Sequence, residues 1–348
     1  MSLSISRWFG DWRHLVEKPI SAEDVEPAVE RGSIPAYAFY FLLASSTVIA
    51  TFGLLANSAA VIIGAMIIAP LMSPIISMSY GIVAGRGALT MRSLLTVVTG
   101  TLLTIALAFV FTEAIGWKLA GSEIIARMNP SLLDLGVAVA AGAAAAFAYT
   151  RPGVSSALAG IAIAVALVPP LCTVGIVMAL GQEASAEVGL ALDSFSARGP
   201  FLLYLTNIIG IVFAGSTVFF WRYYRRRLLA MLALALTFGS LIIVIPPLGI
   251  GMDNLLVRNQ VHRSLTVESR ALLPAEHDFR FTNLGVRIRQ GTVFVRGDIV
   301  ASPGLFNQQL INTLRAKLSE RVTMPVILEF GIIPEMILRS MEEANVDG

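Results

Sequence analysis

Two similar four-residue motifs lie in long apolar stretches of the chain, Pro70-Leu71-Met72-Ser73 and Pro170-Leu171-Cys172-Thr173, which share Pro-Leu and end in a hydroxyl residue. A proline inside a helix has no amide hydrogen and frees the carbonyl one turn before it, and hydrocarbon offers no water for such groups. Each motif therefore predicts a helix divided into two halves, with unpaired amides at the start of the second half. Such amides bind anions or the polar end of a small metabolite, whereas the freed carbonyls suit a cation.

A solute site near the middle of the membrane is the chemistry that this pattern predicts, because both motifs lie near the middle of their apolar segments. The amide side chain of Asn207, which lies in another apolar segment, either contributes to this site or bonds a neighbouring helix. The opposite interpretation is that the prolines only kink their helices, as prolines in membrane helices often do. The candidate solute-binding residues are Pro70, Leu71, Ser73, Pro74, Pro169, Pro170, Thr173 and Asn207.

The composition of the 348-residue chain is that of a polytopic membrane protein. Hydrophobic residues make up 56% of it and charged residues 14%, and its mean hydropathy is +0.76, which excludes a soluble globular protein. The net charge of +2 gives no electrostatic affinity for nucleic acid. One cysteine and three scattered histidines provide neither a disulfide framework nor a metal site. We expect no cofactor.

The centres of the apolar segments carry no ionisable side chain. Proton pumps and voltage sensors hold such groups at depth, and an intramembrane enzyme needs an aspartate pair, a base beside a serine or a cluster of metal ligands. The sequence therefore predicts that the chain is not an enzyme. It favours a channel, a uniporter or an ion-coupled carrier that uses backbone and hydroxyl ligands.

Seven apolar segments are long enough to cross the hydrocarbon core, which takes about 20 residues. They predict an all-α polytopic membrane protein with a transmembrane domain at residues 36–250. Repeat A (36–117) and repeat B (133–221) each hold three segments, and units of three run in opposite directions. We expect an inverted 3+3 repeat with broken second and fifth helices, followed by an extra helix at 228–248. The segments are Ala36–Ala56, Ala59–Ala84, Ser93–Trp117, Leu133–Tyr149, Val154–Leu180, Pro200–Trp221 and Leu228–Leu248.

Basic residues in the loops predict the orientation of the chain. If all seven segments span, the loops of one side hold most of the arginines, and the positive-inside rule makes that side cytoplasmic. The N-terminus is then cytoplasmic and the C-terminal domain periplasmic or extracellular, in a bacterial inner (plasma) membrane. The basic loop residues are Arg86, Arg92, Arg151, Arg222, Arg225, Arg226 and Arg227 on the cytoplasmic side, against Lys118, Arg127 and Arg198 on the other.

A run of aromatic and basic residues follows the sixth segment. Trp221, Tyr223 and Tyr224 are typical of the headgroup level of a membrane, and cations lie between and after them. The run predicts either an anchor for topology and depth or a specific site for anionic lipid. The candidate headgroup ligands are Arg222, Arg225, Arg226 and Arg227.

Both ends of the chain are more polar than its middle. Residues 1–35 predict an interfacial amphipathic region, which packs on the protein's own membrane face or binds lipid. Residues 253–348 predict a small α/β domain. Alternating apolar residues around Gln290-Gly291 are typical of a β-hairpin, Ser302 can cap a following helix, and residues 326–332 alternate as another strand.

Three stretches of the chain resemble one known family. The runs Asn57–Ile75, Ala166–Leu171 and Leu203–Asn207 look like the signature of the uncharacterised hydrophobic domain family (domain of unknown function 389) of bacterial and archaeal membrane proteins. The resemblance covers residues 36–220 and implies a multi-span prokaryotic membrane domain. It implies no substrate and no functional residues, because no activity is established for the family.

These features predict a membrane transporter or channel for a small polar or anionic solute, with a midplane site at the two proline-broken helices. The alternative is a non-transporting membrane scaffold or sensor whose outer α/β domain binds a partner. The fourth segment is nearly all glycine and alanine from Gly136 to Ala146, which permits close packing within the chain or in a homo-oligomer. We expect membrane lipids, a small solute or ion and a second copy of the chain as partners.

Overall fold

A computed structural model of the protein describes residues 20–116, 120–151, 156–181, 196–272, 279–289, 291–302 and 305–334. The chain divides into two compact units, Met1–Gly251 and Met252–Gly348. The helices that lie within the first unit are α1 (Ala22–Gly32), α2 (Tyr37–Leu55), α3 (Ala59–Ile68), α4 (Met72–Ala84), α5 (Gly87–Ile115), α6 (Ser122–Ala126), α7 (Leu132–Tyr149), α8 (Ser156–Leu180) and α9 (Arg198–Phe219). A π-helical turn, Phe220–Tyr224, extends α9.

A long helix, α10, begins in the first unit and ends in the second, from Leu228 to Leu272. The predicted seventh segment is its apolar beginning, and the helix continues through Pro246 and Pro247. The second unit then adds three strands and one helix, which are β1 (Phe279–Arg289), β2 (Thr292–Ala301), α11 (Gln308–Val322) and β3 (Val326–Pro334).

Several helices of the described chain fit a multi-pass membrane protein. Five are long and apolar enough to cross a membrane: α2, α5, α7, α9 with its π-helical turn, and Leu228–Gly249 of α10. Helices α3 and α4 pass the same test as a pair and are bent by 54° at their junction, which makes up to six spans. In α8 the described side chains begin at Leu167. The count of seven spans and the inverted repeat therefore stay predictions.

The predicted break in the fifth segment is wrong. Helix α8 runs without interruption from Ser156 to Leu180 and contains both Pro169 and Pro170. The two prolines are adjacent, so the residue before Pro170 is itself a proline, whose fixed φ of about −65° is helical. Leu167 and Val168 are fully buried. Packing of this kind supplies most of the stability of a helix and outweighs the bonds that the prolines remove.

Glycine lets the transmembrane helices approach each other closely. A Cβ atom on Gly142 of α7 would lie 2.6 Å from the carbonyl oxygen of Ile211 in α9, and one on Gly175 of α8 would lie 2.5 Å from the carbonyl oxygen of Ile105 in α5. Real Cβ atoms do not approach so near, so only glycine fits both positions. The glycine- and alanine-rich fourth segment therefore packs on α9 within the chain at Gly142.

The second unit is a three-stranded sheet covered on one face by helices. Strand β2 lies in the middle, antiparallel to β1 and parallel to β3. The predicted hairpin and final strand are confirmed. The predicted cap at Ser302 is wrong, because α11 begins at Gln308 and Asn307 accepts a hydrogen bond from the amide of Leu310 (2.8 Å). The buried face joins Val293 and Val295 of β2, Leu318 of α11, and Val257, Val261 and Leu265 of α10.

An ion-pair clamp joins α10 to α11. The carboxylate of Glu268 lies 2.9 Å from the ammonium of Lys317 and 2.5 Å from the guanidinium of Arg321. The hydrogen bond from Lys317, with the charge of Arg321, lowers the pKa of Glu268 below its ordinary value. The carboxylate therefore stays charged where it holds the two helices together.

Candidate functional site

The break between α3 and α4 confirms the prediction for the second segment. Helix α3 ends at Ile68, and Ala69 is extended (φ −65°, ψ 125°), as expected for a residue before proline. Helix α4 starts at Met72, and its N-cap residue, Leu71, makes no side-chain capping bond. Pro74 occupies the first turn of α4, where an amide would have no intrahelical acceptor. The second proline therefore removes one of the amides that the break leaves unpaired.

Side chains of the protein itself fill this break. Leu71 and Ile75 are fully buried, and Pro74 is buried beside them. The hydroxyl of Ser46 in α2 donates to the carbonyl oxygen of Ala65 in the last turn of α3 (2.7 Å). Backbone at membrane depth that is not helical is tolerated only where it is buried in protein or lines a cavity. The break is packed on this side by α2.

Helix α1 lies antiparallel along α4 and contacts the candidate residue Ser73. A Cβ atom on Gly32 would lie 3.2 Å from both the Cβ and the carbonyl oxygen of Ser73. One turn further along, the hydroxyl of Ser77 donates to the carbonyl oxygen of Val29 (2.6 Å). Ser21 caps the start of α1 in a reciprocal pair of hydrogen bonds with Asp24. Ser73 therefore faces a polar helix, and its depth relative to the bilayer midplane stays a prediction.

The candidate hydroxyl of α8 is bonded within its own helix. The hydroxyl of Thr173 donates to the carbonyl oxygen of Pro169 in its own helix (2.8 Å). No described hydrogen bond joins Thr173 to Ser73. Asn207 is buried in α9 and lies next to Thr206, which is also buried. Pro70, Leu71, Ser73 and Pro74 lie at the junction of α3 and α4, and Pro169, Pro170 and Thr173 lie in α8, which packs against both helices.

A buried group of hydroxyls and one thiol lies between α2, α5 and α8, and we call it the hydroxyl layer. It consists of Thr47, Thr51, Thr104 and Cys172. The hydroxyl of Thr47 donates to the carbonyl oxygen of Leu43 (2.7 Å) and lies 3.4 Å from that of Thr104. The thiol of Cys172 donates to the carbonyl oxygen of Thr47 (3.8 Å). Of the first-unit residues that the structure describes, none of the buried ones is charged.

Two tyrosines and an arginine connect α1 to the bundle. The hydroxyls of Tyr80 and Tyr224 are hydrogen-bonded at 2.8 Å, and Tyr80 donates to the carboxylate of Glu26 (3.3 Å). Arg86 forms ion pairs with Glu26 (3.1 Å) and Glu30 (2.6 Å). Sequence reasoning missed this network, because 54 residues separate Glu26 from Tyr80 and no local pattern connects them.

The same end of the bundle carries a surface pocket and two further bonds to the N-terminal segment. The pocket has a volume of about 310 Å³ and is lined by Glu30, Arg86, Arg92 and the first residues of α5. The amide of Ile20 donates to the carbonyl oxygen of Thr150 after α7 (3.1 Å), and the hydroxyl of Tyr223 donates to the carbonyl oxygen of Ile20 (3.0 Å). The N-terminal segment thus contacts the same end of α4, α5, α7 and α9.

The predicted headgroup ligands lie in the π-helical turn or just after it, and three of them stack on its aromatic rings. The guanidinium carbon of Arg225 lies 4.9 Å from the ring centroid of Trp221. That of Arg222 lies 5.2 Å from Tyr223, and that of Arg227 lies 5.1 Å from Tyr224. All four arginines, Arg226 included, are exposed.

The apolar helices and the broken span fit the membrane domain that the sequence resemblance implies. Residues 66–213 match the family described as Domain of unknown function (DUF389). This match confirms the predicted resemblance, and its description names no activity. The chain is also 29% identical, over 178 residues, to uncharacterized protein MJ0678 of Methanocaldococcus jannaschii. The aligned part is 51% of this chain and 52% of the archaeal protein, so the chain spans about half the length of this relative.

Proposed function

We propose that this protein is a membrane transporter or channel for a small polar or anionic solute, whose path passes the break between α3 and α4. The broken span carries this proposal. A helix interrupted at membrane depth leaves backbone groups that a solute or ion can ligate, and transporters build their sites on such helices. Ser46, which bonds α3 next to the break, supplies a hydroxyl to the same path.

The hydroxyl layer supports a site without fixed charge. Hydroxyl and carbonyl oxygens replace part of the hydration shell of a small solute, and they do so without the cost of burying a charged side chain. Thr47, Thr104 and Cys172 approach each other from three different helices. A relative movement of these helices would exchange their bonds to each other for bonds to a solute.

Helix α1 acts in this proposal as the closure of one end. It lies along α4 and is tied by the ion pairs of Arg86 with Glu26 and Glu30, which are partly exposed. By the positive-inside rule this end is cytoplasmic. Partly exposed ion pairs weaken with salt, so they hold α1 less firmly at high ionic strength, and in this proposal a movement of α1 away from α4 opens the path toward the cytoplasm.

A non-transporting scaffold or sensor is the second candidate. The observation in its favour is the filling of the break, where Leu71 and Ile75 are fully buried and Ser46 occupies the carbonyl of Ala65. In this alternative the prolines only shape the packing, and the second unit binds a partner.

Solute flux in proteoliposomes separates the two candidates. We expect the purified protein to pass at least one small anion or neutral polar solute faster than protein-free liposomes. The double variant Thr47→Val with Thr104→Val is expected to lower this flux at least several-fold. Its control is Thr217→Val in α9, because Thr217 is half-buried and bonds only the carbonyl of Phe213 in its own helix.

The variant Glu26→Gln with Glu30→Gln tests the closure. Loss of both carboxylates releases α1 from Arg86, so flux is expected to rise. If wild type and this variant both stay at the protein-free background for every solute of a broad screen, the transport proposal is overturned and the scaffold is favoured.

A further inference from the structure

We propose that the turn between α9 and α10 is a binding site for the phosphate-bearing headgroup of an anionic phospholipid. We call residues 221–229 the arginine turn. Its four arginines lie within six consecutive positions, around the end of one candidate span at Tyr224 and before the start of the next at Leu228. This proposal is independent of transport, because it concerns the outer surface of the bundle.

The π-helical turn divides the side chains of this segment between two environments. Tyr224 is buried and its hydroxyl bonds Tyr80 inside the bundle (2.8 Å). Trp221, Arg222 and Arg225 are exposed on the other side. π-Helical turns insert one residue into a helix and are frequent at functional sites. Here the turn fixes one aromatic ring in the core and presents its neighbours to the surroundings.

The aromatic rings orient the guanidinium groups. Arg225 stacks on Trp221, Arg222 on Tyr223 and Arg227 on Tyr224, with distances of 4.9–5.2 Å from guanidinium carbon to ring centroid. Stacking uses the face of a guanidinium and leaves its edge, with the N–H donors, available for a phosphate. Two N–H groups of one arginine bind two phosphate oxygens in parallel. The rings therefore hold three donors ready before a ligand arrives.

The charge of the arginine turn is not compensated by carboxylates in the described part of the chain. Arg86 at the same end pairs with Glu26 and Glu30, and Arg127 pairs with Glu123. No described ion pair involves any arginine of the arginine turn. Four positive charges this close attract an anion, and clusters of this size beside a membrane span bind anionic lipid.

Apolar neighbours distinguish a lipid from a free phosphate ion as the ligand. Trp221 is 62% exposed, Leu228 69% and Leu229 76%. They lie beside the arginines in the sequence, and the two leucines begin the next candidate span, where acyl chains pass. A phospholipid covers both parts of the surface, because its acyl chains contact the leucines while its phosphate contacts the arginines.

Quenching of Trp221 fluorescence by brominated lipids tests the site. Replacement of Trp8, Trp12 and Trp117 by Phe leaves Trp221 as the only tryptophan of the full-length protein. In phosphatidylcholine vesicles we expect brominated phosphatidylglycerol, added as a minor component, to quench Trp221 several-fold more than the same amount of brominated phosphatidylcholine. Equal quenching by the two lipids overturns the proposal and leaves only an anchor.

Variants of the arginines identify what the lipid recognises. Replacing Arg222, Arg225, Arg226 and Arg227 by Gln should abolish the preference and keep quenching by brominated phosphatidylcholine, which reports that the segment is still folded in the membrane. The matched control is Arg198→Gln, an exposed arginine at the opposite end of α9, which should keep the full preference. A preference that survives the fourfold Gln change contradicts the assignment.

Two further experiments ask whether the stacked arginines recognise the lipid by geometry rather than by charge alone, and whether the ligand is a lipid rather than free phosphate. Replacing the four arginines by Lys keeps the charge but loses the planar stacking and paired donors, so the preference should fall markedly. If the Lys variant keeps the full preference for phosphatidylglycerol, the proposal of a site formed by stacked arginines is overturned. Excess inorganic phosphate, compared with chloride at equal ionic strength, should leave the preference unchanged, and complete displacement by phosphate overturns the lipid as ligand.

Discussion

Two pairs of prolines inside apolar helices have opposite effects on the backbone of this protein. Pro70 and Pro74 lie four residues apart, and the chain bends by 54° between α3 and α4. Pro169 and Pro170 are adjacent, and α8 continues through them. A third pair, Pro246 and Pro247, is also adjacent and also lies inside a continuous helix, α10. Spacing, rather than the presence of proline, separates the broken helix from the intact ones.

The comparison of the α3–α4 junction with α8 shows at which spacing a second proline favours a break in the helix. In α4 the second proline occupies the first turn of a new helix, where its missing amide removes an orphan group. The new helix is therefore easier to start. In α8 the second proline follows the first directly, so both missing amides fall within one turn and the helix loses only adjacent bonds. The motif at residues 70–73 therefore forms a junction between two short helices, whereas the motif at residues 170–173 lies inside a continuous helix.

The strongest test changes the spacing in α8 from one to four. Pro170→Leu with Thr173→Pro leaves prolines at positions 169 and 173, as in the broken span. We expect a bend in α8 and a loss of about 3 kcal/mol or more in the free energy of unfolding, because the new ring removes the amide that bonds Pro169. Spin labels near both ends of α8 would measure the bend. Pro170→Leu alone should leave α8 straight, and a straight double variant would refute the role of spacing.

The next test asks whether the break is packed or hydrated. Leu71→Ala should lower the free energy of unfolding in mixed micelles by about 3 kcal/mol, since Leu71 is fully buried at the junction. The matched change Ile67→Ala, at a side chain that is 58% exposed on α3, should cost far less. A loss at Leu71 no larger than that at Ile67 would indicate that the break lines a water-filled space.

The packing that keeps α8 intact can be loosened at Gly175, about one and a half turns beyond its prolines. Gly175→Ala should destabilise the protein by about 2 kcal/mol, because the added methyl group meets the backbone of α5. Gly64→Ala is the control in the broken span, where nothing lies within 4 Å of the added atom. We expect it to be neutral or slightly stabilising. Equal melting temperatures for the two variants would contradict this account of α8.

The smallest expected effect concerns the carbonyl next to the break. Ser46→Ala removes the hydroxyl that bonds Ala65 and should cost about 1 kcal/mol. Ser45→Ala is its neighbour and control, because Ser45 bonds only the carbonyl of Phe41 in its own helix (2.9 Å). Chemical denaturation of the two variants in parallel measures the difference. If Ser45 matters as much as Ser46, the bond to α3 has no special role.

Local rules predicted part of this fold. The bias of a residue before proline predicted the extended Ala69 and thus the break, and period-two alternation around Gln290-Gly291 predicted the hairpin of the second unit. The same local rule failed at Val168, because burial of that residue outweighed the preference of its backbone. The capping rule failed at Ser302, because another capping residue, Asn307, lies five positions later and begins the helix.

Contacts between distant residues of the candidate site could not be predicted from one sequence. Ser73 meets Gly32, and Tyr80 meets Tyr224, across 144 positions in the second case. Neither pair has a periodic or compositional signal, because each depends on how whole helices pack. The arginine turn was predictable, since its aromatic and basic residues are consecutive. Its stacking geometry was not, because the π-helical turn changes which side chains share a face.

The parallel pairing of β2 with β3 has a consequence for biosynthesis. The hairpin of β1 and β2 can form once both strands have been synthesised, but Leu318 covers part of its apolar face, and β3 pairs with β2, only after α11 and the last strand have followed. Until then a nascent chain exposes an unpaired strand edge next to a hydrophobic surface. Chaperone capture of the growing protein should therefore concentrate on this interval.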